Sequence, residues 1–266
     1  EAAPDRRDLV GAWLVARTGQ AIEERDDGTL VTFAEDEAGA DALIAALAET
    51  HAVRATRRPL EAVDWSVRWR DGIAPRHFGR LTVTPSWISG NEPDRITVVV
   101  DPETAFGSGE HGSTRAALTL LERHLAPGDA VLDLGSGSGI LAIAAVKLGA
   151  RLATGIEIDD EANEIARANA ARNGVAGRTS FLTGDAADLA PLLGPADVLL
   201  SNILRTVNVT LLPAIRLALR RDGLAIFSGM ETAEAPLFRP ALEEADFGIV
   251  DEVTDAGWWA VAARRR

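Results

Sequence analysis

The period of apolar positions changes repeatedly along this chain, and each change marks an element. Between Asp5 and Thr18, Leu9, Val10, Trp13 and Leu14 recur at spacings of three and four, which places them on one face of a helix. Gly19 follows where a helix commonly ends on a residue with positive φ. "QAIEERDDGTLVTF" reads as a hairpin turning at Asp27-Gly28. "DEAGADALIAALAET" returns to helical spacing, with Leu43, Ile44 and Leu47 on one face, and "HAVRATRRPL" reads as another strand. Helix, two strands, helix and strand predict a small α+β layer domain over residues 1–57. It lacks only a first strand to complete a split βαβ pair.

Residues 58–100 break the rhythm. Trp65, Trp69 and Trp87 lie there among Pro59, Pro75, Pro85 and Pro93, with strand-like pieces in "RLTVTPSW" and "RITVVV". This predicts a linker and then a hairpin leading into a larger domain, with the tryptophans as interface core rather than a platform for stacking bases. From 101 to 266 apolar runs alternate with helical patterns. Strands are expected at 130–134, 152–158, 179–183, 196–201, 223–229, 248–254 and 257–263. That order predicts an α/β fold with a doubly wound, mainly parallel seven-stranded sheet. The last two strands are too close for a crossover helix and should form an antiparallel hairpin at one edge.

Composition narrows the chemistry. Of 266 residues 47% are hydrophobic and 25% charged, enough apolar material for a sizeable core. Cysteine is absent, which excludes disulfides and thiolate metal sites. His51, His77, His111 and His124 have no metal-ligand spacing, so no metal is expected. A net charge of −13 argues against direct nucleic-acid binding and suits a basic partner. No apolar run reaches membrane-spanning length and no signal peptide stands at the start, so a cytoplasmic protein without membrane contact is expected, and a monomer.

The candidate chemistry centres on "VLDLGSGSGILAIAAVKLGA". Gly135, Gly137 and Gly139 separate a buried strand from a helix, a turn at which a ligand can approach the backbone closely. A dinucleotide fingerprint is G-x-G-x-x-G, but here the last glycine position is Ile140. Asp133, just before the turn, would repel a diphosphate and suits a cation. Glu157 ends the next strand, where a carboxylate accepts both hydroxyls of a ribose. Asp185 and Ala186 follow the third strand, at the place of an adenine edge, and Asn202 ends the fourth. Taken singly, Glu157 reads as a solvated acid, Asn202 as a cap for a helix near Thr206 and His111 as a turn residue. Trp258-Trp259 likewise reads as edge packing and Arg264 to Arg266 as a solvated tail. Glycine turn, acid, acid and amide at four successive strand ends instead describe a site for S-adenosyl-L-methionine.

At these residues the chain resembles the class I, Rossmann-like methyltransferases. "DPETAFGSGEHGST", from Asp101 to Thr114, is similar to the loop of one family, the ribosomal protein L11 methyltransferases (PrmA). "DWSVRWRDGIAPRHFGRLTVTPSW", "SNIL" and the small α+β domain also resemble it. The resemblance implies that Thr114, Gly135, Glu157 and Asn202 contact the cofactor. The same site is expected to include Thr104 and Phe106 of the loop, Gly137 of the turn and Ile158. Phe106 and its loop are expected to cover the methionine end. Asn202 is the candidate catalytic residue. The family usually carries Asp at the place of Glu157, Thr at Ser108, and Ala-Gly-Pro at Arg205-Thr206-Val207. Its small domain usually opens with a strand, so a truncated or divergent N-terminus is expected. The implied activity is methyl transfer to amino groups of ribosomal protein L11, with the small domain recognising the substrate. A methyltransferase for another protein or a small molecule, and a non-catalytic binding protein, remain open. A dehydrogenase is disfavoured by Ile140.

Overall fold

The computed structural model describes residues 7–18, 22–24, 28–34, 36–58, 74–88, 94–101 and 109–266. The chain divides into two compact units, residues 1–69 and 70–266. In the first, α1 (Arg7–Thr18) precedes two short antiparallel strands, β1 (Glu23–Glu24) and β2 (Leu30–Val31), and α2 (Glu37–His51). Asp36 starts α2 by accepting the Gly39 N–H at 2.7 Å, and Ala52 ends it in the left-handed region. Gly19 and Asp27 lie outside the described residues.

The strand expected in "HAVRATRRPL" does not form over residues 52–58. The alternation behind that expectation is real. Val53 and Ala55 pack against Val10, Leu14 and Leu47, while Ala52, Arg54 and Thr56 are exposed. Period two turns side chains toward a core, but a strand also needs a neighbouring backbone, and among the described residues none pairs here.

The second unit opens with a small sheet. β3 (Arg76–Phe78) and β4 (Leu81–Thr84) are antiparallel, and β4 pairs in parallel with β5 (Ile96–Val99). The hairpin expected from β4 and β5 is therefore corrected to β3 and β4. The connection from 85 to 95 is long enough to cross over, as a parallel pair requires. Trp87 lies on that connection, whereas Trp65 and Trp69 fall outside the described residues. Phe78, Leu81, Val83 and Val98 belong to the same core as the helices that follow.

Those helices alternate with strands. The order is α3 (Gly112–His124), β6 (Ala130–Leu134), α4 (Ile140–Leu148), β7 (Leu152–Glu157), α5 (Asp160–Arg172), β8 (Thr179–Thr183), α6 (Ala186–Leu193) and β9 (Ala196–Asn202). Then come α7 (Arg205–Ala218), β10 (Leu219–Glu231), α8 (Ala235–Glu244), β11 (Phe247–Asp255) and β12 (Trp258–Arg265). The sheet runs β11-β12-β10-β9-β6-β7-β8. It is parallel from β10 to β8 and antiparallel where β12 meets β10 and β11. Arg264 and Arg265 are not a solvated tail: they belong to β12, and both donate to carbonyls, those of Asp222 and Leu219.

Strand alternation builds two apolar layers. Val131, Val198, Leu200 and Ile226 face α3, α4 and α5, while Leu132, Leu134, Leu199 and Phe227 face α7 and α8. Every residue of α4 except Lys147 is buried, as its all-round apolar sequence requires. Helices thus cover both faces, and the strand order reverses between β6 and β9. Ligands of open α/β sheets bind beyond the carboxyl ends of the strands at such a reversal.

Candidate functional site

The carboxyl ends of β6 and β9 lie side by side, with Leu134 opposite Ser201. Gly135, Gly137 and Gly139 all have positive φ, which lets the chain turn within a few residues from β6 into α4. At Gly135 the space is also taken, since an added Cβ would lie 2.6 Å from Ile203 Cγ2. Asn202 Nδ2 donates to Thr114 Oγ1 at 3.3 Å, joining two predicted residues that are far apart in sequence. Asn202 Oδ1 is buried with no hydrogen-bond partner among the described residues. Asn202 does not cap α7, whose N-cap is Leu204.

Glu157 ends β7 and reaches back to the glycine turn. Its Oε2 accepts the Gly137 N–H at 3.0 Å, and its Oε1 accepts the Ile158 and Asp159 N–H groups at 2.8 and 3.3 Å. Ile158 projects from this corner and is 77% exposed. Asp185 caps α6 by accepting the Ala187 N–H at 2.8 Å, and Ala186 is half-buried beside it. Thr104 and Phe106 lie outside the described residues.

Asp133 sits beneath the turn rather than in it, 1% exposed. Its Oδ2 accepts the Ala142 N–H at 3.1 Å, in the first turn of α4, while Oδ1 has no partner among the described residues. Burial, reinforced by the nearby Glu157 charge, raises its pKa to about 7 against the opposing pull of the Ala142 N–H. His111 precedes α3 at the other side of the site. Its ring packs on Trp258 with centroids 4.2 Å apart, and Nδ1 lies 2.8 Å from Ser113 Oγ. Burial and the Arg115 charge lower its pKa, which favours the neutral ring. Arg115 in turn binds Asp255 at 2.5 and 2.8 Å, so the β11–β12 turn holds the start of α3.

The sequence model of one family, "Ribosomal protein L11 methyltransferase (PrmA)", matches residues 13–266. The chain belongs to the ribosomal protein L11 methyltransferase family. A family member from Thermus thermophilus is 42% identical over 202 residues, covering 76% of this chain and 78% of that protein. One from Pseudomonas paraeruginosa is 38% identical over 259 residues, covering 93% and 87%. The crystal structure of the ribosomal protein L11 methylase from Lactobacillus delbrueckii subsp. bulgaricus superposes with a TM-score of 0.65 at 34% identity. It covers 71% of this chain and 96% of that one.

Membership makes this an S-adenosylmethionine-dependent methyltransferase, and the dehydrogenase and non-catalytic alternatives fall. The residues present fit that cofactor. Among the described residues Asn202 Oδ1, Asp133 Oδ1 and the Ser136 hydroxyl of the glycine turn are buried without hydrogen-bond partners, as suits a polar ligand bringing donors and positive charge. The pairs Thr114–Asn202 and Gly137–Glu157 converge there in the structure. The buried residues Ser113, Ser201, Asn208 and Ser228 behind Asn202 escaped the sequence reading. Single small polar residues inside apolar stretches carry no pattern of their own.

Proposed function

We propose that the protein transfers methyl groups from S-adenosylmethionine to amino groups of ribosomal protein L11, at lysine side chains and the N-terminus. The observation that carries this is the Asn202 side chain, held by Thr114 beside the glycine turn with a buried oxygen left free. When bound, the cofactor supplies a methyl group already activated by the sulfonium charge. The protein's task is then mainly to position the acceptor. An amine of ordinary pKa near 10.4 costs about 4–5 kcal/mol to deprotonate at pH 7. Asn202 Oδ1 offers an acceptor for an amine N–H and so orients the nitrogen lone pair. Glu157 holds the ribose hydroxyls, Gly135 and Gly137 lie under the methionine part, Ile158 and Asp185-Ala186 border the adenine, and Asp133 answers the positive charge. Thr104 and Phe106 complete the cover over the methionine end.

The smaller unit is the substrate-recognition module in this reading. The net charge of −13 attracts a lysine-rich protein and gives no footing for nucleic acid. No described helix is long and apolar enough to cross a membrane. A cytoplasmic monomer completes the proposal. The test uses purified L11 and S-adenosylmethionine labelled in the methyl group. Labelled methyl should appear on L11 amines with the intact protein, and Asn202→Ala should lower kcat at least about tenfold while the fold persists. Parent-level turnover by Asn202→Ala rejects its role, and no label on L11 rejects the substrate.

A further inference from the structure

We propose that Asn208 is a positioning residue that sets the geometry of the Asn202 strand end. This rests on the reading of Asn202 given above. Asn208 lies in the first turn of α7 and is wholly buried. All the neighbouring buried positions of this helix face, Leu211, Leu212 and Ile215, are apolar. Burying an amide there carries a desolvation cost that an apolar side chain would avoid. Three hydrogen bonds offset it. Ser201 Oγ donates to Asn208 Oδ1 at 2.6 Å, and Asn208 Nδ2 donates to the carbonyls of Ile203 and Ser228 at 3.0 and 3.1 Å.

Both carbonyls lie where regular pairing stops or shifts. The register between β9 and β10 ends at the Asn202–Ser228 pair, so Ile203 falls after the strand and before the helix. Pairing between β10 and β12 is irregular between Phe227 and Met230, so Ser228 falls in the gap. One amide group bridges both, and its oxygen takes Ser201 on the preceding residue pair. The residue after Asn202 is gripped from two further sides. A Cβ at Gly135 would lie 2.6 Å from Ile203 Cγ2, and one at Gly229 would lie 2.7 Å from both Ile203 N and Ile203 C. Ser228 Oγ also donates to the Ser113 carbonyl at 2.8 Å, next to Thr114. The backbones that carry Asn202 and Thr114 are thus fastened to one another through Asn208 and Ser228, behind the side chains that face the site. A polar clamp of this kind limits where the Asn202 amide can point. Small displacements of a positioning group cost orders of magnitude in rate.

The experiment compares Asn208→Asp, Asn202→Ala and the double variant, with S-adenosylmethionine and L11 both saturating. Aspartate keeps the shape and the acceptor for Ser201 but leaves at most one donor, its own proton, for the two carbonyls. Asn208→Asp should lower kcat about tenfold or more, with KM for L11 and Kd for S-adenosylmethionine within about twofold of the parent. In the Asn202→Ala background the same change should cost less than about twofold, because its effect runs through Asn202. An unchanged kcat, or a loss that adds in full to that of Asn202→Ala, overturns the proposal. If Asn202→Ala itself keeps parent kcat, the reading of Asn202 falls, whatever Asn208→Asp does, and the proposal with it. Should Asn208→Asp fail to fold by circular dichroism, Ser201→Ala replaces it, since it removes the hydroxyl that holds Asn208 Oδ1 and adds no bulk. The same selective loss of kcat is expected, and parent kcat overturns the proposal.

Discussion

Asp133 concentrates the electrostatics of the site in one residue. Its carboxyl is buried under the glycine turn with a pKa raised from 3.8 to about 7. The native state therefore holds a proton that the unfolded chain releases above about pH 4. Its contribution to stability is full below that pH, declines as pH rises toward 7, and stays lost above 7. The lowered carboxylates Asp197, Asp251 and Asp255 act in the opposite sense, and only at more acid pH. His111, whose pKa is lowered, acts in the opposite sense below about pH 6.5, so the Asp133 effect is read as a difference: the melting temperature of ligand-free parent relative to Asp133→Asn should fall between pH 5 and pH 7 and level off above. An equal slope in both proteins would mean that another group is responsible. The place of Asp133 just before the glycines was legible in the sequence. Its burial was not, because depth depends on how α4 closes over the strand end.

At the scale of elements, the β6–turn–α4 unit combines the tightest local demands with the deepest burial. Gly139 caps α4 at φ 78°, and an added Cβ would lie 2.8 Å from Phe181 Cζ and 3.0 Å from Ala166 Cβ. Gly139→Ala should cost about 2 kcal/mol or more, from the left-handed backbone together with overpacking. Urea unfolding is the measurement, and a midpoint equal to the parent's would show that Phe181 and α5 yield freely. This element was legible in full: an apolar strand, a glycine turn and an apolar helix read as such from sequence. The β4–β5 pairing and residues 52–58 were not. In both places the side-chain pattern was sound, and the direction or presence of a partner strand decided the outcome.

For the molecule as a whole, the division into two units separates the proposed tasks. The residues proposed to hold the cofactor lie in the unit of residues 70–266, which has its own two-layered core. In the smaller unit Val10, Leu14 and Leu47 form the buried centre, and no residue assigned to the cofactor lies there. A chain starting near Val63 should bind S-adenosylmethionine with parent affinity by calorimetry and lose most methylation of L11. Methylation by the intact protein should also weaken as salt screens the attraction between an acidic enzyme and a basic substrate. Full methylation by the shortened chain would remove the recognition role from the small unit.

Sequence alone determined the alternation of elements in the larger unit, the glycine turn and the succession of Asp133, Glu157 and Asn202 at or near strand ends. These follow from local rules: side-chain period, the conformational freedom of glycine, and the order of strands and helices. Tertiary structure alone decided that Thr114 meets Asn202, that Glu157 bonds back to Gly137, and that Asp133 is buried enough to hold its proton near neutral pH. It also decided that Asn208 ties the end of β9 to the irregular stretch of β10. Each of these depends on which strands lie side by side and where their registers run out. Register is a property of two chain segments together, and no single stretch of sequence carries it.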